Sequence, residues 1–171
     1  MQAELTLEPA DIDDAESINA LLNKAYRGKE GWTRETEIVS GERSSVEDVT
    51  KLIHNPDAHL LVATIDGNLA ACICVEEKES KAYIGTYAVS PVFQNQGLGK
   101  AVLSLAEKYA INELGSKILV MVVISQRNEL ISFYERRGYR RTGEISEYPV
   151  HLNVGVPTVE GLTIECLEKI T

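Results

Sequence analysis

One segment near the middle of the chain carries the clearest signal, and it reads Val89-Ser90-Pro91-Val92-Phe93-Gln94-Asn95-Gln96-Gly97-Leu98-Gly99-Lys100. In this segment a predicted strand ends, a turn follows, and two glycines precede a long helix with an apolar stripe. Backbone N–H groups at a helix start have no partner inside the helix, and the helix dipole adds positive potential there. Because glycine has no Cβ, a ligand can approach this backbone closely. The segment therefore predicts an anion site, for which a pyrophosphate is the natural occupant.

Two familiar phosphate-binding loops do not fit this segment. A Walker loop ends in Gly-Lys-Ser or Gly-Lys-Thr, and this ending is missing here. The dinucleotide-binding loop requires a third glycine, but Val102 stands at that position. Gly97 and Gly99 taken alone are equally compatible with a helix start that binds no ligand.

Hydrophobic patterning along the rest of the chain predicts an α/β protein. The predicted strands cover residues 5–8, 60–65, 69–75, 82–89, 118–124, 139–145 and 162–168. Helices are predicted after caps at Asp11 and Ser45, and over residues 98–114 and 129–137. Seven consecutive apolar residues at 118–124 predict a central strand that is covered on both faces. This order predicts a mixed sheet with helices on both faces, and it excludes a doubly wound nucleotide fold.

Length and composition narrow the class of protein. The chain has 171 residues, 44% of them hydrophobic and 25% charged, so one globular domain over residues 1–171 is expected. No apolar run approaches the ~20 residues that cross a bilayer, and no secretory signal is visible at the N-terminus. A net charge of −9 argues against a nucleic-acid partner and slightly favours cationic or amine partners.

The cysteines predict neither a disulfide framework nor a metal site. Cys72, Cys74 and Cys166 are too few and odd in number for a framework, and buried reduced thiols are the expected state. A metal ion at Cys72 and Cys74 lacks two further ligands at matching spacing. Reduced thiols also make the cytoplasm the expected location.

Two spaced motifs resemble those of the GNAT superfamily, the acyl-CoA-dependent N-acyltransferases. Gln-x-x-Gly-x-Gly at residues 94–99 is similar to the family's pyrophosphate loop, Gln/Arg-x-x-Gly-x-Gly/Ala. Residues 128–139 are similar to the family's Asn-x-x-Ala-x-x-Phe/Tyr-Tyr-x-x-x-Gly-Phe/Tyr segment, with Ile131 at the position of the small residue. The resemblance covers nearly the whole chain in element order and is strongest over residues 83–140.

The resemblance implies a fold and a donor site. The fold is a central, mostly antiparallel twisted sheet with a splayed parallel pair and helices on both faces. The donor is acetyl-CoA, which serves as a cosubstrate without a metal ion. Its pyrophosphate binds the glycine loop, its pantetheine arm pairs with strand 87–89, and a backbone N–H near Val89 polarises the thioester carbonyl. The residues that the resemblance places on the donor are Tyr87, Ala88, Val89, Gln94, Asn95, Gln96, Gly97, Leu98, Gly99, Lys100, Asn128 and Tyr134.

The resemblance also implies a catalytic role for Tyr134. In the family this tyrosine stands near the thioester sulfur and protonates the leaving thiolate. A phenol suits that role because its pKa near 10 keeps it protonated at neutral pH. Without the resemblance, an aromatic side chain that only packs in the core is the alternative interpretation of Tyr134.

The sequence does not identify the base that deprotonates the amine. An alkyl ammonium has a pKa of about 10.4, so it must lose a proton before it attacks. Many family members carry a Glu on the strand before the loop, but residues 83–89 contain no acid. Glu37, Glu76 and a water held by Tyr87 remain as alternatives.

Acceptor recognition in the family comes from two variable segments, which correspond here to residues 26–43 and 147–157. Within them Trp32 is a candidate aromatic wall, Arg43 a candidate carboxylate clamp, and Tyr148 a further candidate contact. For Trp32 and Arg43, a covering side chain and an ordinary ion pair are equally good interpretations.

The sequence thus predicts transfer of an acetyl group from acetyl-CoA to a primary amine by direct attack on the thioester. The acceptor stays unassigned among small-molecule and peptide or protein amines. A non-catalytic domain that binds or senses acyl-CoA is the alternative, supported by the missing acid. Transfer of a longer acyl group also remains open, as does a homodimer, which is common in the family.

Overall fold

The computed structural model describes residues 5–27, 39–40, 44–93, 97–147, 156–157 and 161–171. This part of the chain contains four α-helices, two short 3-10 helices and nine strands. The α-helices are α1 (Ala15–Arg27), α2 (Val46–His54), α3 (Leu98–Asn112) and α4 (Asn128–Glu135). The strands are β1 (Glu8–Pro9), β2 (Val39–Ser40), β3 (Ala58–Ile65), β4 (Asn68–Lys78), β5 (Lys81–Val89), β6 (Ile118–Ile124), β7 (Arg140–Glu147), β8 (Val156–Pro157) and β9 (Thr163–Ile170).

Seven of the strands form one mixed sheet in the order β1-β3-β4-β5-β6-β9-β7. Its neighbouring strands are antiparallel except for β5 and β6, which are parallel. These two strands pair only at Ala82 with Leu119 and at Tyr83 with Val120. The C-terminal halves of β5 and β6 are therefore unpaired with each other and leave an opening in the sheet. This confirms the expected mixed sheet and its splayed parallel pair.

Helices cover both faces of the sheet, as the sequence predicted. One core layer lies beneath α1 and α2 and includes Ile18, Leu22 and Val49. The other lies beneath α3 and α4 and includes Val102 and Ile131. The opening between β5 and β6 therefore connects a side covered by α1 and α2 with a side covered by α3 and α4.

Local sequence patterns correctly predicted where several helices and strands begin or end. The carboxylate of Asp11 accepts from the N–H of Ile12 at 2.7 Å, and Ser45 Oγ accepts from the Asp48 N–H at 3.1 Å. Both residues cap the start of helical structure, as predicted. Asp66 and Gly67 both have positive φ, the conformation that a tight two-residue hairpin turn requires.

Two strand predictions were wrong in part. The predicted strand at residues 5–8 is shifted, because only Glu8 and Pro9 pair with β3, while Leu5 and Leu7 pack against the core. Strand β6 has the predicted bounds, but Val122 is 48% exposed. Its α1–α2 side is incompletely covered, since those helices contact β3, β4 and β5.

Other differences concern element ends and short strands. Helix α3 ends at Asn112 and α4 covers Asn128–Glu135, close to the predicted ranges of 98–114 and 129–137. Strands β2 and β8 were not predicted at all. Each has two residues, which is too short for a periodic pattern to be recognised.

All three cysteines are free thiols in the structure. Cys72 and Cys74 are buried on β4, and the Cys72 thiol donates to the carbonyl of Thr86 at 3.2 Å. Burial raises the pKa of Cys74 to about 12, and the nearby charge of Glu76 adds to the effect. Since the thiolate is the reactive form, Cys74 is a packing residue rather than a nucleophile.

We expect Cys74 to resist alkylation while the chain is folded. With a pKa of about 12, roughly one thiol in 10⁴ is ionised at pH 8, and burial hides that fraction from the reagent. Timed iodoacetamide treatment followed by peptide mass spectrometry should label the half-buried Cys166 first and Cys74 only after urea is added. Equal labelling rates in the native protein would contradict the buried position of Cys74.

Candidate active site

The glycine loop opens α3 in the manner of an anion site. Gly97 precedes the helix with φ of +76°, a left-handed conformation that glycine adopts without the strain of a Cβ. Among the described residues, no atom lies within 4 Å of a Cβ built at Gly97. The first backbone N–H groups of α3 follow at Leu98, Gly99 and Lys100. Gln94, Asn95 and Gln96 lie outside the described residues.

A β-bulge distorts β5 beside this loop. Cys72 pairs with Ala88 and Cys74 with Gly85, so two residues of β5, Thr86 and Tyr87, oppose one residue of β4. Thr86 has φ of +48°, which is unusual for a β-branched residue. The bulge lies in the half of β5 that does not pair with β6. Bulges redirect side chains and often border functional sites, so this half of β5 can receive an extended ligand along the opening.

Tyr87 connects β5 to the glycine loop. Its hydroxyl donates a hydrogen bond to the backbone carbonyl of Gly99, in the first turn of α3. A Cβ added at Gly99 would lie 3.0 Å from that hydroxyl oxygen, closer than a carbon normally approaches. The Tyr87 hydroxyl therefore crowds any side chain at the second glycine of the loop, and it would have to shift by a few tenths of an ångström to admit a Cβ. The family resemblance predicted that both residues contact the donor, but no sequence pattern predicted the hydrogen bond between them.

We expect Tyr87→Phe to weaken acetyl-CoA binding by roughly 3- to 10-fold, since one hydrogen bond that positions the loop is lost. Gly99→Ala should weaken binding more, because its Cβ meets the Tyr87 hydroxyl. In a Tyr87→Phe background the same Gly99→Ala change should cost less. Titration calorimetry on the four proteins measures this coupling, and equal costs in both backgrounds would exclude it.

Tyr134 is buried in α4 and faces the core. It is 4% exposed and belongs to the same core cluster as Leu98, the first residue of α3. Its ring contacts the rings of Phe133 and Tyr139 edge-on, with centroids 5.4 and 6.0 Å away. Ile131, the larger residue at the family's small position, is 1% exposed and packs in the same cluster. Asn128 is exposed at the start of the helix.

A partly buried polar network joins the segment after α4 to α3 and β9. The hydroxyl of Tyr139 donates to Glu107 at 2.8 Å, and Lys169 Nζ donates to the same carboxylate at 3.2 Å. Burial and the charge of Glu107 raise the pKa of Tyr139 well above its ordinary value. The network holds Tyr139 against Tyr134, and the sequence gave no sign of it because its three members lie far apart in the chain.

Comparison with known proteins agrees with this geometry. The model of the acetyltransferase (GNAT) family matches residues 16–139. The chain belongs to that family. A relative from Bacillus subtilis (strain 168), named uncharacterized N-acetyltransferase YesJ, is 29% identical over 154 residues, covering 79% of this chain and 81% of the relative.

Solved structures share the fold at lower identity. The ribosomal-protein-S18-alanine N-acetyltransferase from Escherichia coli has a TM-score of 0.72 at 18% identity, covering 98% of this chain and 94% of its own. A chimera of the spermidine N-acetyltransferase SpeG from Vibrio cholerae and hSSAT has a TM-score of 0.72 at 17% identity, covering 98% and 96%. This chain is thus an N-acetyltransferase of the GNAT family, which implies acetyl-CoA as the acetyl donor.

The two segments expected to bind the acceptor of this GNAT acetyltransferase meet in the structure. Strand β2 of the first segment pairs antiparallel with β8 of the second, Val39 opposite Pro157 and Ser40 opposite Val156. The candidate contacts themselves, Trp32, Arg43 and Tyr148, lie outside the described residues, as does Glu37. The β2–β8 pair was not predicted, and the sequence offered no pattern that could have revealed it.

Glu76, the other carboxylate considered as a base, lies opposite Tyr83 in the β4–β5 ladder. That position is at the closed end of the opening, where β5 and β6 still pair. The amide of Asn55 contacts the Glu76 carboxylate at 3.5 Å. Glu76 is therefore about six residues along β5 from Val89, or roughly 20 Å of extended strand.

Membrane-spanning helices and clustered metal ligands are both missing from the described residues. Within those ranges, no helix is both long enough and apolar enough to span a membrane. No group of three or more His, Cys, Asp or Glu side chains in that same part of the chain is arranged to hold a metal ion.

Proposed function

We propose that this GNAT enzyme binds acetyl-CoA along the opening between β5 and β6 and transfers the acetyl group directly to a primary amine. The observation that carries the proposal is the contact between Tyr87 and Gly99. It joins the unpaired half of β5 to the glycine loop, so one extended ligand can lie on both. A thioester with a distant pyrophosphate has the shape that this arrangement fits.

In this proposal each part of the donor meets a particular element. Backbone N–H groups from Gln96 to Lys100, with Gln94 and Asn95 nearby, hold the pyrophosphate at the positive end of the α3 dipole. Residues 87–89 of β5 pair with the pantetheine arm as an added strand, and Asn128 bonds the same arm.

The chemical step forms one bond and breaks another. The neutral amine attacks the thioester carbon, and a backbone N–H near Val89 stabilises the negative charge that develops on the carbonyl oxygen. The C–S bond then breaks, and Tyr134 gives its proton to the departing thiolate sulfur. The nitrogen loses a proton to solvent as the amide forms, and the Tyr134 phenolate takes up a proton from solvent. The products are the N-acetylated amine and free CoA. Tyr134 is buried in the core cluster that also contains Leu98, the first residue of α3, and this supports the role.

We further propose that the acceptor is an amine that binds near the β2–β8 pair, with Trp32, Arg43 and Tyr148 as its candidate contacts. The structural neighbours are named for alanine and spermidine acetyl transfer, and both of those acceptors carry amines. The net charge of −9 favours a cationic acceptor. The enzyme is proposed to act in the cytoplasm as one domain over residues 1–171, with a homodimer as the assembly to test.

Two measurements on the purified chain test this function. Calorimetric titration with acetyl-CoA is expected to show one site per chain with micromolar affinity. A thiol-release assay with a panel of amino acids, polyamines and peptides should then show CoA production above the hydrolysis rate. Binding without turnover on any amine would favour the non-catalytic alternative. A folded protein that does not bind acetyl-CoA would contradict the donor site.

A further inference from the structure

A cationic cavity lies beside the proposed pyrophosphate site. It has a volume of about 330 Å³ and lies between α3, the end of α4 and β9. Its polar lining consists of Lys100, Ser104, Glu107, Arg136, Arg137 and Lys169. The volume is at the lower end of ligand pockets, and therefore suits part of a ligand rather than a whole one.

The charge of this cavity is opposite to that of the chain. Four of its side chains are cationic and one is acidic, whereas the whole chain carries −9. The acidic one, Glu107, already binds Lys169 and Tyr139. In the part of the chain that the structure describes, Lys100 and Arg136 have no carboxylate within ion-pair distance. Concentrated positive charge on an acidic protein points to an anionic ligand.

Arg137 is held in place before any ligand arrives. Its guanidinium lies over the ring of Phe133, 3.9 Å from the ring centre, and its Nη1 donates to the Phe133 carbonyl at 2.6 Å. Its Nε is buried without a hydrogen-bond partner among the described residues. A planar guanidinium held in this way is suited to a phosphate, because less conformational entropy is lost on binding.

The cavity is continuous with the glycine loop. Lys100 follows Gly99 directly, and Ser104 and Glu107 lie four and seven residues further on the same face of α3. The lining therefore extends about 10 Å along the helix from the loop. In CoA, the ribose 3′-phosphate is separated from the pyrophosphate by a single ribose.

We propose that this cavity binds the ribose 3′-phosphate of the donor, so that the enzyme selects CoA thioesters over their 3′-dephospho forms. The proposal rests on the proposed function, because it takes the pyrophosphate to bind at residues 96–100. Lys100 and Arg136 are exposed cationic side chains at the rim of the cavity. The guanidinium of Arg137 is already held in place by Phe133.

The test compares acetyl-CoA with acetyl-3′-dephospho-CoA by calorimetry and by the thiol-release assay. The unmodified protein should bind acetyl-CoA roughly 10- to 100-fold more tightly, as expected for charge-assisted hydrogen bonds to one phosphate. Arg136→Gln should reduce this preference by roughly 3- to 10-fold, while affinity for the dephospho donor stays unchanged. Arg136 is exposed, so the fold should tolerate this change. Lys108→Gln, an exposed lysine on α3 outside the cavity lining, is the matched control and should keep the preference.

The possible outcomes distinguish failure of the 3′-phosphate site from failure of the proposed acetyl transfer. Equal affinity of the unmodified protein for the two donors would overturn the 3′-phosphate site and leave acetyl transfer intact. An Arg136→Gln variant that weakens binding of both donors equally would overturn the 3′-phosphate site as well. If neither donor binds to the folded protein, the proposed function and this inference both fail.

Discussion

Tyr134→Phe is expected to lower kcat by roughly 10²- to 10⁴-fold, the range for loss of a general acid. Phenylalanine keeps the ring that packs against Tyr139 and removes only the hydroxyl that gives its proton to the thiolate. The Kd for acetyl-CoA should therefore change by less than about 3-fold. Steady-state kinetics of CoA release and calorimetric titration measure the two effects separately.

Tyr109→Phe is the matched control for this change. Tyr109 is on α3, and its hydroxyl contacts His59 at 3.1 Å, outside the proposed donor site. Tyr109→Phe therefore measures how much the loss of one tyrosine hydroxyl outside the donor site changes stability. Its kcat should stay near that of the unmodified enzyme. If Tyr134→Phe also retained full turnover, Tyr134 would be a packing residue and another group would protonate the thiolate.

Gly97→Glu should reduce acetyl-CoA affinity by 100-fold or more, a rough figure that corresponds to about 3 kcal/mol. Two effects combine. A Cβ at φ of +76° strains the backbone by about 1 kcal/mol, and the carboxylate repels the donor's pyrophosphate at close range. Calorimetry measures the affinity, and thermal unfolding measures the strain.

The chain offers a control with the same backbone strain. Gly115, beyond the far end of α3, also has positive φ, and no atom of the described part of the chain lies within 4 Å of a Cβ built there. Gly115→Glu should therefore lower thermal stability about as much as Gly97→Glu and leave acetyl-CoA binding intact. Gly97→Ala adds the strain without the charge and should fall between the two in affinity. Unchanged affinity in Gly97→Glu would place the pyrophosphate elsewhere.

The features that could be predicted are those with a local cause. The caps at Asp11 and Ser45 depend on side chains within three residues of the backbone groups they bind. The seven apolar residues of β6 form a strand with the predicted bounds because no polar side chain interrupts them. The start of α3 at Leu98 belongs to this class too, because the left-handed Gly97 directly before it is a local feature.

Where such local sequence patterns were weak, strands were predicted at shifted positions or were not predicted. The pattern at residues 5–8 is compatible with a strand, yet only Glu8 and Pro9 meet β3. The exposure of Val122 depends on how far α1 and α2 extend across the sheet, which no feature of β6 encodes. Strands β2 and β8 exist only because two distant segments meet, and neither has a pattern of its own.

The order of the longer elements, the glycine motif and, through two spaced motifs, the family all follow from the amino-acid sequence without coordinates. These features depend on neighbouring residues and on their spacing along the chain. Tertiary packing was needed to establish that β9 lies between β6 and β7, that Tyr87 bonds Gly99, and that Lys100 and Arg136 line one cavity. Such contacts join residues that are 12 or more positions apart, and side-chain packing across the sheet sets those distances rather than any local propensity.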